Sequence, residues 1–505
     1  MQGREGSLCG ANLSDLVRSE QACDLALLGR VETLVADPAN ACAVGVLRFG
    51  RMRRVAILLL VLAAFGMADD NRSLGDRTRQ YLTDLVRLDT SNPPGNETRV
   101  ADYLKKVADS FGIQAEELGD PKDPKRLSFV ARLHGSGSKG RPLLLMAHSD
   151  VYPVTPDQAK QWTENPFGAE FKNGYIYGRG TLNAKSLLAS ELAVMVEIKR
   201  RNLKLSRDVI LVSEADGEAG MTGIQWLIQN AWSKIDAEFA LNDGGSLIES
   251  KDGAKVFGIQ TMEKIPTRVI LTAHGTVGTA ALPRADNPIV HLDDAVSRLS
   301  KADQPIRVNS TTRRYLHELS NLSDYAWLAP LLPKLESPVT ATAAAAAAQI
   351  RAKDVELDAM LRTTISPQSD TQLDVLRMPS ETREEVLARL RQIVNDSSVD
   401  VAFAPGPPMP TAQASPRTTA LYTALEKAIA RIYPRDAVAT SYMSRGATDS
   451  GFLRSRGVPV YGVPLFLREP GGPRARGADE RITPKALDDG VELLWQIVQE
   501  TAGEN

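Results

Sequence analysis

The sequence predicts an α/β fold with a second, smaller α+β domain inserted into it. Apolar runs at 142–147, 208–212 and 238–241 are typical of buried strands, and helical stretches alternate with them. From residue 264 onward the pattern changes to an alternating strand at 267–273, followed by helix-like runs. We therefore expect two domains, the first one interrupted by the second.

The elements of the first domain come before and after the insert. Each of its apolar runs ends in polar residues, and open α/β sheets place their functional residues at the carboxyl ends of strands. The Pro- and Gly-rich segment 404–410 marks the return to this domain. Other expected elements are helices within 78–111, interrupted by the turn-rich 89–97, and at 187–199, 289–299 and 383–393, and a strand at 371–376. An exposed helix is expected at the alanine run 340–348. The expected domain bounds are 69–262 with 404–505 for the first domain and 263–403 for the insert.

The composition is that of a large globular protein. The 505 residues are 43% hydrophobic and 24% charged, which is enough to bury the cores of at least two domains. The formal charge is −2 and lysine and arginine are scattered along the chain, which argues against nucleic acid as a partner. Small-molecule or peptide chemistry is the better expectation.

The N-terminal region has the layout of a signal peptide. Arg53 and Arg54 precede an apolar run at 55–68 that is too short for a stable membrane span. Met52 stands at the place of a start residue. We therefore expect 52–68 to be a signal peptide that exports the protein, to the periplasm or outside the cell, and 1–51 to be an extension foreign to the native chain. The alternative is that 55–68 forms a buried core helix.

The three cysteines all fall in the expected extension. Cys9, Cys23 and Cys42 lie within 1–51, so the mature chain would contain no cysteine. A disulfide framework and a thiolate metal site are thereby excluded for it. Any metal would be held by histidine, aspartate and glutamate.

Four polar residues at the ends of expected strands form a candidate metal site. His148 and Asp150 follow the first apolar run, and Asp150 is placed to orient the imidazole of His148. Glu218 and Asp243 follow the next two runs. A single histidine at a strand end is as often a structural residue as a ligand. The other three acids make a functional site the better interpretation.

The chain from about residue 78 resembles the di-zinc exopeptidase family of carboxypeptidase S, aminoacylase, acetylornithine deacetylase and glutamate carboxypeptidase. The order and spacing of eight stretches carry the resemblance. These are DTSNPPGNE (89–97), LLLMAHSDVYPV (143–154), QWTENPF (161–167), NGYIYGRGT (173–181), ALNDGG (240–245), RTTISP (362–367), ATDSGFLR (447–454) and GADERI (477–482).

The resemblance implies a zinc-dependent fold and function. It implies a catalytic domain with an inserted lid domain that mediates dimerisation, so a homodimer through the lid is possible. It also implies two zinc ions bridged by an aspartate, and a glutamate base that activates water to attack an amide next to a free carboxylate. His148 and Asp243 match ligands of the first zinc, Glu218 matches a ligand of the second, and Asp150 matches the orienting acid.

Several of the family's catalytic positions are altered in this sequence. The bridging aspartate falls on Asn183, the base on Gly217 and the last histidine ligand on Arg476. Asparagine offers one neutral ligand oxygen, and arginine is no zinc ligand. The lid histidine that reaches the partner subunit's site in the family falls on Thr279. At most one weakly held zinc ion is therefore expected.

Two other residues could replace lost groups, and a third remains as a candidate for substrate binding. Asp216 could act as base if the register were shifted, although its side chain would then point away from the water. His274 lies five residues before Thr279 and would need a register change to replace the lid histidine. Arg362 is a candidate for binding a substrate carboxylate.

Three functional hypotheses follow from these residues. The first is an exported homologue that is inactive or severely impaired, whose cleft binds a small carboxylated or peptide-like ligand. The second is an active metal-dependent peptidase or amidohydrolase that cleaves an amide next to a free carboxylate. The third is a structural protein with an incidental pocket. The first is favoured because zinc is rarely retained by fewer than three good ligands.

The position of the mature N-terminus tests the expectation for residues 1–68. We expect N-terminal sequencing of the protein made in its native host to find no peptide that begins within 1–51. A mature chain that starts at Met1 or Gln2 would contradict both the extension and the signal peptide.

Overall fold

The computed structural model describes residues 72–369, 371–468, 472 and 475–504. The expected extension, the expected signal peptide and the three cysteines lie outside the described residues. Across the described part of the chain, no helix combines the length and the apolar character needed to cross a membrane.

The helices and strands alternate along most of the chain. The described strands are β1 Gln114–Leu118, β2 Ser128–Leu133, β3 Leu143–His148, β4 Phe171–Lys172, β5 Tyr175–Tyr177, β6 Val209–Glu214, β7 Phe239–Asn242, β8 Ser246–Glu249, β9 Lys255–Glu263, β10 Ile265–Ala273, β11 Thr364–Pro367, β12 Gln372–Arg377, β13 Val399–Phe403, β14 Ala437–Ser444, β15 Val460–Gly462 and β16 Arg481–Ile482. The described helices are α1 Leu74–Arg87, α2 Thr98–Ser110, α3 Pro156–Ala159, α4 Lys185–Arg200, α5 Thr222–Asn230, α6 Trp232–Ile235, α7 Pro288–Lys301, α8 Ser310–Ser320, α9 Leu332–Leu335, α10 Thr340–Lys353, α11 Val355–Ala359, α12 Arg383–Val394, α13 Ala420–Ile432, α14 Ser450–Ser455 and α15 Pro484–Ala502.

A mixed sheet forms the centre of the first domain. Among the described residues, nine strands join in the order β1, β2, β6, β3, β7, β15, β9, β14, with β8 paired to β9. Strand β3 is parallel to both β6 and β7, and every residue of these three strands is buried. Parallel strands buried on both faces have continuous apolar sequences, which is the pattern that predicted them. Their carboxyl ends, at His148, Glu214 and Asn242, meet at one edge of the sheet.

Helices cover both faces of this sheet. One apolar core contains side chains of α1, α2, α4, α13 and α15, and the opposite core contains side chains of α5, α6 and α14. Leu143 and Leu145 of β3 belong to the first core, whereas Leu144 and Met146 belong to the second. Helix α4 is buried almost all round, as expected for a helix with apolar residues on every side. The α/β class predicted from the sequence is confirmed.

A separate antiparallel sheet lies within the predicted insert. Its strand order is β11, β12, β10, β13. The alternation predicted at 267–273 is present in β10, where Val269 and Leu271 are buried against side chains of α7 and α12. Helix α12 begins with a capping box in which Thr382 and Glu385 each accept a hydrogen bond from the other's backbone N–H. The prediction of a small α+β unit is confirmed.

A helical segment between α7 and β11 packs on the central sheet instead. Helices α8, α9, α10 and α11 share an apolar core with Val256 of β9 and Tyr442 of β14. The rings of Tyr315 and Tyr442 meet edge to face, with centroids 4.9 Å apart. Part of the range 263–403 therefore lies against the first domain, and the bounds 263 and 403 stay a prediction.

The alanine run forms a helix as expected, and the expected exposure holds for one side of it but not for the other. Ala343, Ala346, Ala347 and Ile350 of α10 are buried among leucine side chains of the neighbouring helices. Their spacing is that of one helix face. Neighbouring alanines have the same hydrophobicity, so the sequence could not show which of them faces the core.

Lys264 is the single residue between strand β9 of the central sheet and strand β10 of the lid sheet. Strand β9 ends at Glu263 and β10 begins at Ile265. Lys264 is fully buried, and its Nζ donates to Thr364 Oγ1 at 3.0 Å. Burial lowers the pKa of Lys264 to about 7, because a charged ammonium group loses its hydration there. Arg445 and Arg362 lower this pKa further, while Asp358 and Glu381 raise it.

The buried Lys264 should make stability depend on pH. Between pH about 7 and the ordinary lysine pKa of 10.5, the unfolded chain holds a proton that the folded protein has released, so the free energy of unfolding rises with pH. We expect Lys264→Met to remove the contribution of this lysine to the rise, while Lys185, whose pKa burial also lowers to about 7, keeps its own. Urea unfolding of the wild type and of the variant at pH 6, 7, 8 and 9 measures it.

Lys251→Met is the matched control, since the Lys251 side chain is 91% exposed. This variant should keep the wild-type pH dependence. If Lys264→Met kept the full wild-type pH dependence of the free energy of unfolding, the buried lysine would not contribute to it.

Candidate active-site cleft

His148 and Asp150 form a buried pair at the end of β3. His148 is 4% exposed, and its Nδ1 lies 3.1 Å from Asp150 Oδ1 and 3.0 Å from the backbone oxygen of Asp150. Nε2 is then the ring nitrogen that remains for a ligand or cation. Burial lowers the pKa of His148, but Asp150, followed by Glu218 and Asp243, raises it to about 10. A cation that binds Nε2 must displace a proton.

Asp150 is positioned by donors from two other segments of the chain. Its carboxylate accepts hydrogen bonds from the backbone N–H groups of Gly217 and Glu218, both at 2.9 Å, and from Asn92 Nδ2 at 2.7 Å. Burial raises the pKa of Asp150, but these donors and His148 outweigh it and keep the pKa below its usual value. The orienting role predicted for Asp150 is consistent with this geometry. Through these hydrogen bonds, Asp150 also holds the loop after β6 next to the end of β3.

The backbone at Gly217 is too close to His148 to carry a side chain. A Cβ atom built on Gly217 would lie 2.4 Å from His148 Cβ and 2.7 Å from His148 Cγ. Such distances require the imidazole or the loop to move. The position that the resemblance assigns to the base therefore has neither an acid nor room for one while His148 stays in place.

Asp216 is engaged in structural contacts. It has a left-handed backbone with φ of 67°, and its carboxylate accepts hydrogen bonds from Asn92 Nδ2, Arg126 Nη1, and the backbone N–H and hydroxyl of Thr222. Burial raises the pKa of Asp216, yet these donors hold it below its usual value. A carboxylate with so many donors is a poor proton acceptor, so the structure does not favour Asp216 as a substitute base.

Glu218, Asn183 and Arg476 are in direct contact with one another. The Glu218 side chain is 1% exposed, and its Oε1 accepts from Asn183 Nδ2 at 3.0 Å and from Arg476 Nε at 3.2 Å. Oε2 accepts from Arg476 Nη2, which completes a bidentate ion pair. The two substituted ligand positions thus converge on the retained acid.

Glu480 brings the loops of this cluster together, a role that the sequence reasoning missed. Its Oε1 accepts from the backbone N–H groups of Gly180 at 3.1 Å and Leu182 at 2.8 Å. Its Oε2 accepts from Arg179 Nη1 at 2.8 Å and from the backbone N–H of Arg476 at 3.1 Å. The only sequence signal was its place in the GADERI stretch, whose motif gave no indication of the loop it binds.

Two further buried acids, one at the end of β6 and one before α14, were also missed. Glu214 and Asp449 are fully buried neighbours, and burial raises the pKa of Glu214 well above its usual value and that of Asp449 to about 7. A proton on Glu214 lets it donate to Asp449, which removes a repulsion between two buried negative charges. Their sequence positions, at the end of β6 and next to α14, could not show that they touch.

A cavity of about 560 Å³ opens beside the cluster. Asn183 and Asp243 line it, and so does an ion pair between Arg445 and Glu356. Most of its other lining side chains are apolar, namely Leu182, Leu187, Leu247, Ile248, Tyr325, Tyr442, Val463, Leu465, Phe466 and Leu467. This combination suits a ligand with both an apolar part and a polar part.

Comparison with known proteins assigns the family. The model of "Peptidase family M20/M25/M40" matches residues 144–500. The chain belongs to this family. It is 24% identical over 457 residues to the N-fatty-acyl-amino acid synthase/hydrolase of Homo sapiens, which covers 83% of this chain and 87% of that protein. The homologue in Xenopus tropicalis is 26% identical over 464 residues, covering 86% and 88%.

A solved structure shows the same fold. An M20 family metallo-carboxypeptidase from Sulfolobus solfataricus superposes with a TM-score of 0.63 at 18% identity, covering 84% of this chain and 99% of that chain. The predicted resemblance, and the architecture of a catalytic domain with a separate lid sheet, are thus confirmed.

The residues of this M20/M25/M40 protein do not fit a second zinc ion. The expected ligand Glu218 already accepts three N–H donors, Asn183 directs its amide NH₂ at Glu218, and Arg476 supplies a cation where a ligand is needed. The first site retains His148 and Asp243. Burial raises the pKa of Asp243, so its charged form needs a positive neighbour. These two residues would hold a cation that polarises a bound carbonyl oxygen.

The structure places the three other predicted residues away from the cluster. Thr279 lies in an exposed turn of the lid, where it pairs with Leu282. His274 is exposed, and its Nε2 lies 2.8 Å from Asp400 Oδ2. Arg362 is 6% exposed, donates to Asp358 Oδ1 at 2.8 Å and lines a different cavity. The idea that Arg362 binds a substrate carboxylate is not supported, because Asp358 already neutralises it.

The close approach at Gly217 leads to a stability prediction. Gly217→Ala should destabilise the protein by about 1–3 kcal/mol, since one added carbon overpacks a buried site against His148. Urea unfolding at neutral pH measures this loss. Gly446→Ala is the control, because no atom lies within 4 Å of a Cβ built there. Equal stabilities of the two variants would contradict the steric argument.

Proposed function

We propose that this protein binds N-acyl amino acids or similar carboxylated amides in its cleft and does not hydrolyse them. The observation that carries the proposal is Gly217, which lies at the base position and is packed against His148. Without an acid at this position, the group that takes the proton of the attacking water in the mechanism implied by the resemblance is missing. Loss of a general base alone costs about 10²–10⁴ in rate.

The cavity supports the ligand class. Its apolar wall, formed by residues such as Leu465, Phe466 and Leu467, suits an acyl chain. Arg468 lines the same cavity and suits a carboxylate. Two relatives that cover 83% and 86% of this chain carry the name N-fatty-acyl-amino acid synthase/hydrolase, which describes a ligand of the same chemistry.

The second candidate is an active metal-dependent amidohydrolase. It is favoured by the His148–Asp150 pair, which keeps the geometry of an oriented ligand, and by similarity over 83% of the chain to proteins named as synthases/hydrolases. Turnover of an N-acyl amino acid by the zinc-loaded protein would decide for this candidate.

Export is part of the proposal. The features that support it are the arginines 53 and 54 and the apolar run at 55–68, in the order of a signal peptide. N-terminal sequencing tests it, as described above for the mature chain.

Binding and turnover of one probe separate the two candidates. With N-lauroylglycine as probe, we expect heat of binding in calorimetry and no released glycine after prolonged incubation with zinc. Leu467→Glu should weaken binding by at least tenfold, because it places a negative charge in the apolar wall that would face an anionic ligand.

Phe171→Glu is the matched control, since Phe171 is 67% exposed and does not line the cavity. Unchanged binding is expected for it. Release of glycine that is lost in His148→Ala would overturn the proposal, as would an absence of binding by the wild type.

A further inference from the structure

We infer that the guanidinium group of Arg476 takes the place of the second metal ion and serves as a built-in cation of the cleft. This inference rests on the proposed function and says how the negative charge of the same site is neutralised without a second zinc ion. The observation behind it is that Asn183 and Arg476, at two positions altered from the family pattern, both donate to Glu218.

The charges balance as they would with a zinc ion. Relative to an aspartate and a neutral histidine, Asn183 removes one negative charge and Arg476 adds one positive charge. Together the two substitutions make the site more positive by two charges, which is the charge of one zinc ion. Glu218, which is 1% exposed, needs such compensation because a buried carboxylate has lost its hydration.

The hydrogen bonds are those of a matched pair. The planar guanidinium contacts both oxygens of Glu218, and Asn183 Nδ2 adds a third donor to Oε1. A dication that approached Glu218 would have to displace these donors and come close to a permanent positive charge. The same carboxylate therefore cannot serve Arg476 and a zinc ion together.

Arg476 is held in place by the backbone as well. Its N–H donates to Glu480 Oε2 at 3.1 Å, and its φ of 68° is left-handed. Glu480 Oε1 binds the loop that carries Asn183 through the N–H groups of Gly180 and Leu182. Tyr152 lies beside the guanidinium, with 6.0 Å between Cζ and the ring centroid. The guanidinium is thus held by Glu218, by the anchored backbone and by the Tyr152 ring, although 54% of the Arg476 side chain is exposed.

Zinc stoichiometry tests the inference. The purified full-length protein is incubated with zinc and dialysed, and zinc per chain is measured by mass spectrometry. We expect at most one equivalent for the wild type and one additional equivalent for Asn183→Asp/Arg476→His, which recreates a carboxylate and an imidazole next to Glu218. Arg284→His is the control, because Arg284 pairs with Asp286 on an exposed loop, and it should match the wild type.

Two zinc equivalents in the wild type, or no gain in the double variant, would overturn the inference. If the double variant fails to fold, a double-mutant cycle of Glu218→Gln and Arg476→Gln on the melting temperature decides. The reference is the coupling energy between Asp286 and Arg284, measured with Asp286→Asn and Arg284→Gln. A larger coupling energy between Glu218 and Arg476 supports the inference, and one that is equal or smaller overturns it. Hydrolysis of N-lauroylglycine by a protein with one zinc would overturn the proposed function and leave this inference intact.

Discussion

Neutralisation of buried carboxylates is the constraint on which the cleft depends. The parallel strands β3, β6 and β7 end at one edge of the central sheet, and acids from several segments gather there out of contact with water. Each acid is neutralised in its own way. Asp150 accepts backbone and side-chain N–H donors, burial raises the pKa of Glu214 well above its usual value and so favours its neutral form, and Glu218 pairs with Arg476.

These pairings also determine the positions of the loops. Glu480 accepts four donors, and through them it holds the loop that contains Asn183 next to the loop that contains Arg476. Asn92 does the same for the turn before α2, since its amide reaches both Asp150 and Asp216. The loops around the site are therefore ordered by the same charges that form it, and a change in one acid would disturb more than one loop.

Much of the fold and part of the site could be predicted from local pattern. Buried strands and amphipathic helices leave apolar periods in the sequence, and the family motifs identify His148, Asp150, Glu218 and Asp243 by position. The pattern was less informative where residues were uniform or where their partners were distant. The buried face of α10 was hidden in a run of alanines, and the segment α8 to α11 was assigned to the insert although it packs against Tyr442.

The sequence by itself determined the family, the α/β class and the identity of the residues at the altered positions, because these depend only on the order of residues along the chain. The tertiary structure alone decided what the altered residues do. Arg476 and Glu218 are 258 residues apart in sequence, and only the packing of loops against the sheet edge brings the guanidinium onto that carboxylate. Charge pairing acts through space over a few ångströms, and no local pattern records which distant group lies within that range.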